Sequence, residues 1–258
     1  MLFLLSPAKT LDYESPLRDL PRTLPRFADR SQRLIATLRR KSARQVGELM
    51  AISPALAELN VARYRAWSPE PTEATARQAV LAFAGDVYEG LDAASLSRTE
   101  LDWAQAHVRM LSGLYGVLRP YDWMQPYRLE MGTALAVGRT RNLYQFWGSE
   151  IAVLLDQELA GEGDPVVVNL ASQEYFRSVD RGQLNARVVE CVFEDWKSGQ
   201  YKVISFFAKK ARGLMARYAI QRRIDRPEGL HDFDLEGYGF DPKASSPDRL
   251  VFRRKMQP

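Results

Sequence analysis

The sequence predicts an α+β fold, a single domain over residues 1–258 in which helices surround a mixed sheet. Three observations predict it. The apolar runs Leu2-Phe3-Leu4-Leu5 and Pro165-Val166-Val167-Val168-Asn169-Leu170 have the length and bounds of buried strands. Capped helical segments fill most of the space between them. No internal repeat, low-complexity tract or linker divides the chain. At 258 residues, with 46% hydrophobic and 26% charged residues, the chain is long and apolar enough for a sizeable core.

The first strand, 2–5, ends at Ser6-Pro7, because proline cannot donate to a ladder. A loop punctuated by Pro16, Pro21 and Pro25 follows. Ser42 caps a helix over 43–50. Ser53-Pro54, a cap followed by proline at the first helical position, opens one that runs to about Trp67. Thr72 opens another, to about Phe83. Ser97 and Glu100 form a capping box at the head of a helix expected to run to about Leu111. Leu143 to Leu159 reads as helical and 165–170 as a strand. Arg187–Trp196 and Tyr201–Phe207, joined by Lys197-Ser198-Gly199-Gln200, read as a β-hairpin. A basic helix from Ala208 to about Ile224 stops before Pro227, and Arg249–Arg254 is the last strand.

Composition excludes several classes of function. One cysteine, Cys191, rules out an internal disulfide and fits a reducing compartment. It alternates with Val189 and Phe193, so it reads as a core thiol. The apolar N-terminus lacks the flanks of a signal peptide, and no apolar run nears ~20 residues, so no membrane span and a cytoplasmic protein are expected. Histidines 107 and 231 stand apart and no His/Cys cluster has ligand spacing, so no metal is assigned. There is no Walker motif and no G-x-G-x-x-G, and no cofactor is expected. The net charge of +4 and pI near 9.2 lean toward acidic partners.

Four segments carry candidate chemistry. In Arg109-Met110-Leu111-Ser112-Gly113-Leu114-Tyr115-Gly116-Val117-Leu118-Arg119-Pro120, two glycines permit a tight hairpin whose outward amides would hold a phosphate, flanked by Arg109 and Arg119. The common alternative is a simple glycine C-cap. Along the basic helix, Lys210 and Arg217 share one face and Lys209 and Arg212 another, either as a solvated face or as a strip of cations along a nucleic-acid backbone. Arg18 to Arg44 is rich in arginine and reads as basic surface. Ser6-Pro7-Ala8-Lys9-Thr10 places a lysine and two hydroxyls at a strand's carboxyl end, where anions bind. Glu130 and Glu174 are candidates for acid or base.

These residues resemble the bacterial YaaA family of peroxide stress proteins. The resemblance rests on Leu5–Asp12, Phe83–Tyr88, Arg109–Pro120, Gln125–Gly132, Leu143–Trp147, Asn169–Ser172, Glu174–Phe176 and Ala208–Gly213, in order along nearly the whole chain. It implies a cytoplasmic protein induced by hydrogen peroxide that helps limit free intracellular iron and oxidative DNA damage. It also implies the family's cantaloupe fold, a positively charged cleft, a helix-hairpin-helix element, DNA binding and a part in recombinational repair. The element is placed at Gly113–Gly116, although this turn is G-h-h-G where the usual one is G-h-G, and Pro120 shortens any second helix. The resulting expectation is a DNA-binding protein without sequence preference, and a binder in preference to an enzyme. Its contacts would be Lys9, Arg109, Ser112, Gly113, Leu114, Tyr115, Gly116, Arg119, Arg128, Lys209, Lys210, Arg212 and Arg217. The alternative is an enzyme on a small anionic substrate in the same cleft, with Lys9, Arg128, Glu130, Asn169, Glu174, Lys209 and Arg212 converging.

Overall fold

The computed structural model describes residues 1–255. Its first half runs β1 (Leu2–Leu5), β2 (Thr10–Leu11), α1 (Ala28–Leu38), α2 (Ala43–Met50), α3 (Pro54–Ala66), β3 (Arg77–Gln78), α4 (Ala79–Ala82), β4 (Phe83–Ala84), α5 (Asp86–Leu91) and α6 (Arg98–His107). Then come β5 (Val108–Ser112), β6 (Gly116–Leu118), β7 (Trp123–Met124), α7 (Leu143–Trp147), α8 (Glu150–Glu158), β8 (Val166–Leu170), α9 (Gln173–Phe176), β9 (Arg187–Lys197), β10 (Gln200–Lys202), α10 (Ser205–Arg222), β11 (Gly239–Phe240) and β12 (Arg249–Arg254).

The main sheet has the order β11-β12-β9-β8-β1-β5-β6, with β10 paired to β9 off this path. It is mixed. β1 is parallel to both β5 and β8, β8 to β9, and β9 to β12, whereas β6, β10 and β11 run antiparallel to their neighbours. All residues of β1, β5 and β8 are buried, which is why these strands read as continuous apolar runs. α10 lies against β9, β8 and β1 on one side and against α5 on the other. One hydrophobic core takes side chains from β1 through β12.

Local signals account for the helix starts. Ser42 with Gln45 and Ser97 with Glu100 form complete capping boxes, and Ser53 accepts from the Leu56 amide ahead of Pro54. α1 buries Ser31, Leu34, Ile35 and Leu38, the spacing of one helical face.

Four expectations are corrected. The helix from Ser97 ends at His107, and Val108–Ser112 continues as β5, since a strand buried on both faces shows the same apolar run as a buried helix. The helix expected over 72–83 is broken. Arg77 and Gln78 are drawn into an extended bridge with β7, Arg77 donating to the Asp12 and Ser15 carbonyls and Gln78 to those of Leu20 and Pro21. The segment 143–159 divides into α7 and α8 at Gly148, where φ is +51°. The second hairpin strand stops at Lys202, and Ser205–Phe207 already belong to α10.

Candidate anion-binding groove

The chain leaves β1 toward β5 on one side of the sheet, while β8, on the other side of β1, leads outward to β9. The loops after β1 and β8 therefore diverge, and a crevice opens at their carboxyl ends. Open α/β sheets bind ligands at such a switch point. Here the Ser6 hydroxyl oxygen accepts from the Ser172 amide at 2.8 Å, tying the two loops together, and the Tyr88 hydroxyl donates to the Ser6 carbonyl at 3.0 Å.

The crevice is a cavity of about 430 Å³ between these loops, the start of α5, α9 and α10. α10 supplies Lys209 and Arg212, one turn apart. Lys209 stands 3.7 Å from Asp86 at the head of α5. Lys9 pairs with Glu130 at 2.7 Å, and Arg128 with the other oxygen of Glu130 at 2.9 Å. Glu174 accepts from the Gly132 amide at 2.9 Å. Arg212 differs from the rest. Its Nε is buried without a hydrogen-bond partner, and burial lowers the guanidinium pKa from its ordinary value. Among the described residues it has no carboxylate within ion-pair distance.

A larger cavity, about 890 Å³, adjoins the first, since Thr10 and Ala84 line both. One wall is α3, through Leu59, Ala62, Arg63 and Ala66, and the other is the Asp12–Glu14 segment with Gln125 and Pro126. Among the described residues Arg63 donates a single long 3.4 Å bond, to Asn60, and burial lowers its pKa too. α2 and α3 are neighbours in contact, joined through Ala51-Ile52-Ser53, with Ala51 left-handed at φ +51°. The sequence predicts the two helices, 43–50 and from Ser53-Pro54 to about Trp67, but not their contact. Its signal was present, a capping box followed by Ser-Pro three residues after the first helix ends. Arg63 had no local signal, because its place in the groove depends on how α3 docks.

The Gly113–Gly116 turn is corrected. It joins β5 to β6 as a β-hairpin, pairing Met110 with Leu118 and Ser112 with Gly116. Leu114 and Tyr115 are buried. The Tyr115 amide donates inward to the Ser112 hydroxyl at 2.9 Å, and that hydroxyl meets the Tyr127 hydroxyl at 2.5 Å. A Cβ on Gly113 would lie 2.2 Å from the Leu129 carbonyl, and one on Gly116, at φ +69°, would lie 2.8 Å from Trp147. The turn thus has its glycines for packing, and no phosphate can reach its amides. The flanking cations are internal as well. Arg109, 5% exposed, binds Glu158 at 2.6 Å and three carbonyls, and Arg119 binds Asp122 and the Leu24 carbonyl.

The basic segments also divide. Lys210 pairs with Glu236 at 2.5 Å, and Arg217 donates to the Leu91 and Asp92 carbonyls. Between Arg18 and Arg44, Arg22, Arg30 and Arg44 pair with Glu73, Glu150 and Glu48, while Arg18 and Arg39 bind carbonyls. Of the predicted contacts, Lys9, Lys209 and Arg212 line one crevice with Glu174, while Arg128 is linked to Lys9 only through Glu130. Asn169 sits at the end of β8 and accepts from the Ala171 amide. Cys191 is buried, and burial pushes its thiol up. His107 stacks on Trp103 and meets the Met1 carbonyl at 3.0 Å. Among the described residues no three His, Cys, Asp or Glu side chains form a metal-binding group, and no helix is long and apolar enough to cross a membrane.

The fold and the crevice together define an α+β protein with a cleft at the switch point of a mixed sheet, lined by Lys9, Lys209 and Arg212 and also by Asp86 and Glu174. The family model described as "Peroxide stress protein YaaA" matches residues 1–244. A UPF0246 protein of Bordetella petrii is 65% identical over 255 residues, covering 99% of this chain and 100% of its own. A UPF0246 protein of Paracidovorax citrulli is 66% identical over 256 residues, 99% of each chain, and one of Albidiferax ferrireducens 61% identical with the same coverage. The chain belongs to the YaaA peroxide stress family.

Proposed function

We propose that this is a cytoplasmic peroxide-stress protein that binds DNA without sequence preference along the groove formed by the two adjoining cavities. In this role it would shield DNA from oxidative damage while helping to limit free iron. The observation that carries the reading is the set of cations, Lys9, Lys209 and Arg212 in the crevice and Arg63 on the α3 wall, in cavities that share Thr10 and Ala84 and that also carry the carboxylates of Asp12, Glu14, Asp86 and Glu174. The α2–α3 hairpin is assigned as the helix-hairpin-helix of the family's cantaloupe fold, in place of the buried turn at Gly113. Phosphate contacts of this kind position a protein on a backbone without reading bases. Fluorescence anisotropy with labelled duplex, bubble and junction DNA at several salt concentrations tests it. Affinity should fall log-linearly with salt, with a shallower slope for Lys209→Ala and Arg63→Ala. Absence of binding at low salt sinks the reading.

A second reading, an enzyme acting on a small anionic substrate, draws support from the enclosure of Arg212 and from the carboxylates of Glu130 and Glu174 beside it. Screening for turnover of small anions distinguishes the two.

A further inference from the structure

We propose that the crevice at the carboxyl ends of β1 and β8 is a seat for a terminal phosphate, a phosphomonoester carried by a small molecule or by a nucleic-acid strand end. The inference rests on the small-anion reading of this site. It is argued from an excess of unused donors. The Ser6 hydroxyl accepts from Ser172 and the Ser172 hydroxyl accepts from Tyr175, but neither donates to an acceptor among the described residues. The Thr10 hydroxyl, on an exposed residue, has no protein partner there, and of these groups the Nε of Arg212 is the one that is buried without a partner. A buried donor without an acceptor is costly, and proteins leave few of them unless something else completes them.

A partner that takes the Arg212 guanidinium together with these hydroxyls is rich in acceptors. A carboxylate has about four lone-pair sites, fewer than the arginine fork, three hydroxyls and an ammonium can fill. A terminal phosphate has three free oxygens and suits the planar guanidinium. Charge agrees with this. Glu130 engages both Lys9 and Arg128, whereas Arg212 is unpaired and Lys209 only loosely faces Asp86, so the two α10 cations are left to meet a dianion. Glu174 uses one carboxylate oxygen on the Gly132 amide. The other takes no donor among the described residues and can accept from a hydroxyl or amine on the body of the ligand. The adjoining cavity, open past Thr10, gives that body room.

Calorimetric titration of the full-length protein tests the proposal. The probes are inorganic phosphate, AMP, adenosine, and one oligonucleotide with either a 5′-phosphate or a 5′-hydroxyl. Phosphate and AMP should bind and adenosine should not. Arg212→Lys, which keeps the charge and loses the fork, should weaken AMP about 10- to 100-fold. Lys209→Gln should weaken it less. Lys209 is half-exposed, so its variant keeps the test intact if Arg212→Lys misfolds. A gain from the 5′-phosphate on the oligonucleotide identifies a strand end as the source, whereas AMP binding without that gain identifies a free phosphomonoester. Equal affinity for AMP and adenosine, no heat with phosphate or AMP, or AMP affinity unchanged in both variants would overturn the proposal. Oligonucleotide binding that ignores both the end group and Arg212, with no binding of phosphate or AMP, removes this seat and leaves the DNA groove standing. Phosphate binding without oligonucleotide binding does the reverse.

Discussion

Gly90 of α5 and Gly213 of α10 occupy the crossing of their helices with no room for a methyl group: a Cβ on Gly213 would lie 1.8 Å from the Val87 carbonyl oxygen, and one on Gly90 would lie 2.2 Å from the Lys210 carbonyl oxygen. Both near neighbours are backbone, which cannot swing away. The contact also sets the crevice, because α5 carries Asp86 and α10 carries Lys209 and Arg212.

Gly213→Ala should therefore force the helices apart. Overpacking of this kind costs roughly 3 kcal/mol or more. For a chain of this size that lowers Tm by about 6–12 °C, read by circular dichroism. Binding of any crevice ligand should weaken too. A melt within 2 °C of the parent would contradict the rigid crossing.

Arg109 belongs to stability and not to binding. Replacing it with Met leaves the Glu158 carboxylate buried without its closest cation, at about 3–5 kcal/mol. Arg109→Met/Glu158→Leu should recover much of that loss. Chemical denaturation of both variants checks it, and equal losses would show that the ion pair is not the source.

Salt dependence separates groove cations from internal ones. If DNA lies in the groove, Lys209→Ala should reduce the slope of log K against log salt by about 0.9. Arg119→Ala should leave the slope unchanged, since Arg119 is engaged with Asp122. A reduced slope for Arg119→Ala would return the β5–β6 turn to the interface.

Asp12, on the groove wall, is held at about pKa 2, chiefly by hydrogen bonds from Ser15 and further by the Glu14 amide and the Arg77 charge. A depressed carboxylate adds stability above its unfolded pKa of 3.8, and that share is lost as pH falls toward 2. The stability gap between parent and Asp12→Asn should be constant from pH 7 to 5 and close between pH 4 and 2. Urea melts across that range test this, and a gap independent of pH would refute it.

Cys191 should be inert to peroxide in the folded protein. It is 3% exposed and its thiol is pushed up by burial, so little thiolate is available. Mass spectrometry after hydrogen peroxide should find no sulfenic acid, and iodoacetamide should label it only as fast as the chain unfolds. Rapid labelling at pH 8 would show an opening absent from this structure.

Much of the architecture was legible. Ser42, Ser53 and Ser97 announced their helices because a cap is a local bond between residues three apart. The crevice was legible in part, since Lys9 follows a readable strand and Lys209 and Arg212 sit on a readable helix. Val108–Ser112 was not legible as a strand, because its apolar run carries no period that separates a buried strand from a buried helix. The same error turned a packed β-hairpin into an exposed phosphate clamp.

The sequence by itself determined the α+β class, most helix starts, the core cysteine and the family, each through local bonds, periodicity or motif. Tertiary structure alone decided which cations are spent. Arg109, Arg119, Lys210 and Arg217 look like Arg212 in the sequence, but the fold gives each of those four a carboxylate or carbonyl partner. Whether a charge is available to a ligand depends on which distant acceptors the sheet order and helix crossings bring within about 3 Å, the reach of a hydrogen bond.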